Sequence, residues 1–442
     1  MKKIHLLSWF LLYAFSVKSQ ERLSLKQAIE FALIHNYDLQ IAHQDILQKH
    51  QQNTWGNAGR APQISLSNSN RGLQQVNQPA TPFSLEGQNN NLTIDASVDL
   101  RWVVFNGNKV GWQKKQLNTL ENLAIISYQI NAENTIESVM QQYYKVVVEK
   151  EKLILLQKVC QFSKLRVHQF QKGIELGENT YFELTREQSN WYTDSLLVLQ
   201  QELNLSKAFT LLNQIIGQNL VSKKYHLTDT LDIHFMSLDE HTIKSKTLFF
   251  NSKLKEAKEQ LVKNTIETEI SKTERQPQIL FESGYQRNLN WLKADYPIID
   301  GGVATQTNKG HLYGGYIGVM LSLPLFNGGQ INRKIQSSKI KQYQAQLGID
   351  KQQLLLESNI NQLMDEYYYH QQRLLVLQQA KTVTEDNLNL SAQQLDLGAI
   401  NIFDYRQVQN ATLSASINYL DAQYQMICSQ INILKISGEI LN

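Results

Sequence analysis

The chain has 442 residues, with 43 Lys and Arg against 40 Asp and Glu. Three of the bases, Lys2, Lys3 and Lys18, fall in the first nineteen positions, which hold no acid, so the remainder balances at 40 against 40. A neutral body lacks the basic excess that phosphate binding requires, which argues against a nucleic-acid partner. Only six Pro and 21 Gly, among long Gln, Asn, Leu and Ala runs, argue against immunoglobulin-like and dinucleotide-binding folds and favour long uninterrupted helices.

Residues 1–19 read as a secretory signal peptide. Lys2 and Lys3 precede an apolar run from Ile4 to Val17, and Val17 and Ser19 take the small-residue places of a cleavage site before Gln20. A membrane anchor would need about 20 apolar residues, and Lys18 ends this run early. No Cys lies near the cut, so the mature chain is expected to carry no amino-terminal lipid. Cys160 and Cys428 are expected as free thiols: on straight helices their heights differ by about 20 Å, against the roughly 7 Å that a disulfide spans between Cα atoms.

From there the chain repeats itself. Asn36, Leu39 and Pro62-Gln63-Ile64 return as Asn251, Leu254 and Pro277-Gln278-Ile279, at an offset of 215. Phe105-Asn106-Gly107 returns as Phe326-Asn327-Gly328, and Leu176-Gly177 as Leu397-Gly398, at an offset of 221. The step of six falls between Ile64 and Phe105, so the second copy makes a longer excursion there. The first repeat is expected over 20–217, a linker over 218–238, and the second repeat over 239–442.

Each copy reads helix, strand pair, helix, helix. Ser24 to Gln27 is a capping box that opens a helix running to about Trp55; its counterpart spans about Asp239 to Arg275. A β-hairpin follows over about 62–105. In it Leu92, Ile94, Ala96, Val98, Leu100, Trp102 and Val104 alternate with Thr93, Asp95, Ser97, Asp99 and Arg101, and a polar loop around Asn77 to Asn90 joins the strands. The second hairpin, about 277–326, alternates through Tyr313, Ile317, Val319, Leu321, Leu323 and Leu325, with a joining loop that holds Trp291, Pro297 and Gly301-Gly302. Long helices over 106–176 and 327–397 contain no Pro and would each be about 107 Å long at 1.5 Å per residue. The return helices, 178–216 and 399–436, are about half that length. Leu153, Leu156, Cys160, Ser163, Val167, Phe170 and Ile174 step by three and four, a coiled-coil seam.

Strands with one apolar and one polar face suit either half of a soluble sandwich or a membrane barrel with a wet lumen. The export signal, the long polar helices and the want of an apolar helix face to cover the strands favour the barrel. Open edges cannot exist in lipid, so four strands need other chains to complete them. Eight strands fill their own interior, whereas twelve from three chains leave a passage; a homotrimer is the simplest closure. At the strand-to-helix corners Asn106 and Asn327 can cap the following helix, while Gly107 and Gly328 allow the positive φ of the bend. For Trp102, Phe105, Trp112 and Phe326, a membrane-interface belt and ordinary core packing stay equally open.

The pattern Leu25-x-x-Ala28-Ile29-x-x-Ala32-Leu33-x-x-Asn36-x-x-Leu39, the Phe-Asn-Gly-Gly of Phe326 to Gly329 and the duplicated helix, hairpin and helix plan resemble the TolC-type outer-membrane efflux protein family. The likeness covers about Leu23 to Ile436. It implies a mainly α chain with a four-stranded β contribution that forms, as a trimer, a 12-stranded outer-membrane β-barrel continued by a long periplasmic α-helical barrel. It further implies the exit duct of a tripartite efflux pump or type I secretion system, with outer-membrane lipid, a periplasmic adaptor and an inner-membrane transporter as partners. By the same resemblance the helix turns at Leu176-Gly177 and Leu397-Gly398 are adaptor-docking tips, though both Gly also suit simple helix closure. Asp404 takes the place of a carboxylate ringing the closed entrance, Gln407 that of a second one, and Glu183 the matching first-copy place. The family's locking Arg and Tyr fall here on Ile400 and Leu395. No catalytic, cofactor or metal motif occurs: His43 and His50, or His234 and His241, are seven apart, without the four-residue pairing of a helical zinc site. The alternative from another class is a periplasmic coiled-coil scaffold or adhesion stalk without a pore.

Overall fold

The computed structural model describes residues 22–77, 87–218, 223–298 and 302–441. Residues 1–19, read from the sequence as a signal peptide, and the middle of the first hairpin loop lie outside them. In chain order the elements are β1 (Arg22–Leu23), α1 (Leu25–His35), α2 (Tyr37–Gln52), β2 (Gln63–Asn77), β3 (Gly87–Phe105), α3 (Lys109–Glu175) and α4 (Tyr181–Ile215). There follow β4 (His226–Leu227), α5 (Glu240–Phe250), α6 (Ser252–Thr273), β5 (Gln278–Pro297), β6 (Val303–Ser322), α7 (Gln330–Asp396) and α8 (Ile402–Ile436). The chain is mainly helical, with a four-stranded antiparallel sheet. α3 and α7 both hold 67 residues and α4 and α8 both hold 35, with start and end displaced by 221.

Two expected helices are each broken in two. α1 gives way to α2 at Asn36, and α5 to α6 at Asn251, where ψ turns to 126° and 121°. No Gly or Pro marks either break. Asn36 Oδ1 accepts from the Asp38 and Leu39 amides at 2.9 and 3.2 Å, capping α2, while its Nδ2 donates to the Ile215 carbonyl at 2.9 Å at the end of α4. Asn251 repeats the arrangement, accepting from Leu254 N–H and donating to the Ile436 carbonyl, both at 3.2 Å. One side chain thus serves unpaired groups at two helix ends.

The hairpins also differ from expectation. Asn77 and Gly87 to Asn90 belong to strands, and β5 runs through Trp291 as far as Pro297. Each extra residue finds a ladder partner: Trp291 stands opposite Leu92 on one side and Lys309 on the other.

The chain divides into two units. One comprises Met1–Asp45, Ile125–Glu256 and Ile349–Asn442. Its core packs the α1 residues Ala28 and Ala32, both fully buried, against Val139, Tyr143 and Val146 of α3 and Leu212 and Ile216 at the end of α4. β1 pairs in parallel with β4, which straps the segment between the repeats to this core. The Tyr143 hydroxyl lies 2.9 Å from the Leu23 carbonyl and 2.6 Å from Asp229 Oδ2; burial, then that carboxylate, pushes its pKa up. Tyr367 anchors the same segment further on, accepting from Met236 N–H at 2.8 Å and donating to its carbonyl at 3.1 Å. The other unit, Ile46–Ala124 and Ala257–Gly348, contains the sheet in the order β2-β3-β5-β6.

Candidate functional site

The sheet has one apolar and one polar face, and nothing in the chain covers the apolar one among the described residues. Register places Ile64, Leu100, Ser283 and Ile317 in one row, Leu66, Val98, Tyr285 and Gly315 in the next, and Trp102, Phe281 and Val319 in a third, all on one face. This apolar face is bare: Leu66 is 78% exposed, Ile317 75% and Val319 70%. It is interrupted at Arg287 and gives way to His311 and Lys309 further along the ladder. The opposite face carries Asp95, Ser97, Asp99, Arg101, Glu282, Asn288 and Tyr316, cross-linked to one another. Asp99 accepts from Ser97 Oγ at 2.7 Å and from Tyr316 OH at 2.8 Å, Arg101 Nε lies 3.3 Å from Glu282, and Asn288 donates to Asp95. β2 and β6 are left as open edges, with unpaired backbone groups that another strand must take.

At the first strand-to-helix corner Gly107 has φ 64° and Asn108 φ 66°, so α3 begins at Lys109, three residues later than expected. Asn106 Oδ1 accepts from Val110 N–H at 3.4 Å. Gly107 is held by space as well as by φ: a Cβ there would lie 2.4 Å from Gln276 Cβ. At the second corner Gly328 has φ 62° but open surroundings, and Asn327 takes part through its carbonyl, which accepts from Gln330 N–H at 3.3 Å.

Both helix tips close alike. Glu178 N–H reaches the Gly173 carbonyl at 2.8 Å and Gly177 N–H the Ile174 carbonyl at 3.0 Å; Ala399 and Gly398 repeat this to Gln394 and Leu395 at 2.8 and 3.0 Å. This is the Schellman closure, which places a left-handed residue at Gly177 (φ 78°) and Gly398 (φ 70°). It turns the preceding residue outward, so Leu176 is 73% exposed and Leu397 84%. The returning helices then start on caps. Thr180 and Glu183 form a reciprocal capping box, and the Thr180 amide, then its hydroxyl, hold the Glu183 carboxyl below the usual range. Asn401 Oδ1 accepts from Asp404 N–H at 2.9 Å, and the Asp404 side chain, too short to repeat the box, is exposed together with Gln407. Glu183 and Asp404 therefore hold the same third position of equivalent helices, one engaged in its cap and the other open.

Behind these tips lies a cluster that sequence reasoning missed. Arg406 of α8 contacts Asp194 Oδ1 at 2.5 Å, Ser163 Oγ at 3.0 Å and Gln409 Oε1 at 3.1 Å. Arg166 of α3 donates to the same Gln409 oxygen at 2.8 Å and lies 3.9 Å from Glu187. Ser163 also donates to Asp194. Glu187, Asp194 and Ser163 are at most 4% exposed. Burial first, then the neighbouring Arg406 charge, depress the Arg166 pKa, against the pull of Glu187. The cluster joins α3 and α4 to α8. Repeat register could not point to it, because the equivalents of Arg166 and Arg406 are Asn387 and Thr185.

Among the described residues no group of three His, Cys, Asp or Glu side chains is placed to hold a metal ion, and no helix is long and apolar enough to cross a membrane. Cys160 and Cys428 are free thiols on α3 and α8.

Comparison with known proteins accords with this architecture. No curated protein matches the sequence. The fold matches the Campylobacter jejuni CmeC outer membrane channel at a TM-score of 0.73 and 16% identity, over 94% of this chain and 85% of that one. It matches the outer membrane protein VceC from Vibrio cholerae at 0.68 and 15%, over 94% and 96%. For the open state of the Neisseria gonorrhoeae MtrE outer membrane channel the values are 0.69 and 13%, over 95% and 89%. At such identities these likenesses establish the fold. Residues 248–439, most of the second repeat, match the outer membrane efflux protein family. Over that stretch the chain is similar to the outer membrane efflux protein family, and over both repeats its fold is that of the outer membrane channels compared above.

Proposed function

We propose that this chain is the passive outer-membrane exit duct of a tripartite efflux pump or a type I secretion system. The observation that carries the reading is the polarity of the sheet, with a bare apolar face and a cross-linked polar face. In water that arrangement wastes apolar burial, at about 25 cal/mol per Å²; in a bilayer it puts the apolar face toward lipid and the polar face toward a wet lumen. The open edges at β2 and β6 then require strands from other chains, and three copies make a twelve-stranded barrel wide enough to conduct.

In this reading the strand-to-helix corners at Asn106-Gly107 and Asn327-Gly328 carry the wall from barrel strands into helices that extend into the periplasm. The exposed Leu176-Gly177 and Leu397-Gly398 turns offer apolar knobs to a periplasmic adaptor. The exposed Asp404 gives the entrance one ring of three carboxylates, with Gln407 uncharged beside it and Glu183 withdrawn into its cap. The duct has no catalysis of its own; an inner-membrane transporter supplies the energy and selects the substrate.

The test is the mass of detergent-solubilised protein by light scattering together with single-channel conductance in a planar bilayer. A trimer that resists urea extraction from membranes, and conducts better after Asp404→Asn, supports the duct. Protein that washes off membranes and is monomeric without detergent refutes it and leaves the scaffold.

A further inference from the structure

Each repeat holds a cavity where its Asn-capped helix break meets its long helix. In the second repeat the cavity, about 430 Å³, is lined by Asn251 and Lys253 at the break, by Gln352, Leu355, Leu356 and Asn359 of α7, and by Ile436. In the first repeat the cavity, about 560 Å³, is lined by Asn36 and Asp38, by Asn131, Asn134, Thr135 and Ser138 of α3, and by Ile215. Every one of these pairs stands at the repeat offset, 215 for the break and 221 for the helices. The cavities are the same place in the two copies.

They differ by one wall. The second cavity is also lined by Ile130, Glu133, Asn134 and Glu137, a face of the first repeat's long helix. That wall is tight: Ser252 Oγ, beside the break, donates to Glu133 Oε1 at 2.5 Å, and Ser252 is 1% exposed. At the first cavity no helix stands in the corresponding place among its lining residues. The repeat itself says which helix is due there. Displaced by 221, the wall residues become Lys351, Leu354, Leu355 and Ser358 of α7, all exposed, with Leu354 68% exposed. Displaced by 215, Ser252 becomes Tyr37, which is 64% exposed.

We infer that a second copy of this chain supplies the missing wall, its Lys351 to Ser358 face of α7 packing over the Asn36 break of its neighbour. Where Ser252 meets Glu133 within one chain, Tyr37 meets the partner's Leu354 between chains, so a polar pair inside is matched by an apolar pair outside. Asp38, exposed on the first turn of α2, meets the partner's Lys351 with opposite charge. The surfaces that join are different ones, so the contact is heterologous and closes head to tail into a ring. This rests on the proposed multi-chain duct and adds to it which faces meet.

Cross-linking tests it in the full chain carrying Cys160→Ser and Cys428→Ser. With Tyr37→Cys and Leu354→Cys added, a short bis-maleimide should convert most chains into covalent dimers and trimers on a denaturing gel. Moving the second thiol to Gln353→Cys, part of a turn away, should lower the yield at least several-fold. Asp38→Lys should weaken the assembly on dilution in detergent, and adding Lys351→Asp should restore it. Light scattering on the same samples separates the outcomes. An oligomer that gives no cross-link at 37 and 354 overturns this interface while leaving the duct standing; a monomer overturns the duct, and the interface with it.

Discussion

Replacing Asp194 by Ala would strip the Arg406 guanidinium of its charged partner in a place where water cannot compensate. Asp194 is 4% exposed and the Arg406 side chain 11%, and the two stand 2.5 Å apart. An exposed pair would contribute about 0–1 kcal/mol, but losing one member of a buried pair costs about 3–5 kcal/mol, because the other charge is left without its counter-ion. Arg406 would keep Ser163 Oγ and Gln409 Oε1, which places the expected loss near the lower end, about 3 kcal/mol. At about 1.4 kcal/mol per tenfold, that is roughly a hundredfold shift in the opening of α8 from α3 and α4.

Hydrogen exchange of detergent-solubilised protein reads this directly. Amides over 402–412 should exchange roughly a hundredfold faster, while those of the α1 core around Ala28 and Ala32 should not change. Asp194→Asn, which keeps the contact to Ser163, should fall between the wild type and Ala. The pair Asp194→Leu with Arg406→Met removes both charges and should recover most of the loss, since apolar replacement of a buried ion pair is often neutral. If Asp194→Ala changes exchange over 402–412 by less than about twofold, or if the double variant opens as readily as the single one, the buried pair does not hold α8 and the reasoning fails.

Other consequences follow from the corners and from a buried acid. Gly107→Ala should reduce folded yield severely, since its Cβ would collide with Gln276, whereas Gly328→Ala, with the same sign of φ but open space, should cost only about 1–2 kcal/mol; equal melting temperatures for the two would contradict this. Glu133 is 6% exposed, and burial raises its pKa against the opposing hydrogen bond from Ser252 and the charges of Lys435 and Lys255. A carboxyl whose folded pKa is raised binds its proton more tightly when folded, so its ionisation costs stability as pH rises from the unfolded value through the folded one. Glu133→Gln, which keeps an acceptor for Ser252, should therefore melt higher than wild type at pH 7.5, with the gap closing below about pH 4.5; a gap independent of pH would assign the effect to packing.

The duplicated register was legible because helix ends and strand corners need particular residues: Phe-Asn-Gly at the bends and Leu-Gly at the tips are local requirements that a sequence must display. The alternation in β3 was equally plain, since period two is backbone geometry. What could not be read was contact between distant segments. Asp194 and Arg406 lie 212 residues apart, and nothing local distinguishes them from solvated helix charges. The breaks at Asn36 and Asn251 fail for the same reason. Helix-compatible residues surround both, and the chain leaves the helix because the Asn amide has a better partner, the carbonyl end of a return helix about 180 residues later in each copy.

That account of the breaks can be tested at Asn36, where donor and acceptor face different helices. Asn36→Ala frees the Asp38 and Leu39 amides and the Ile215 carbonyl together, and should cost about 2 kcal/mol, the upper range for a lost helix cap. Asn36→Asp keeps the cap on α2 and even suits its amino-terminal dipole, but it takes away the donor that Ile215 uses. If the tie to α4 is what turns the chain, Asp should be nearly as damaging as Ala in a thermal melt. If Asp restores wild-type stability, the cap alone makes the break, and a sequence rule for Asn followed by a helical pattern would have sufficed to find it.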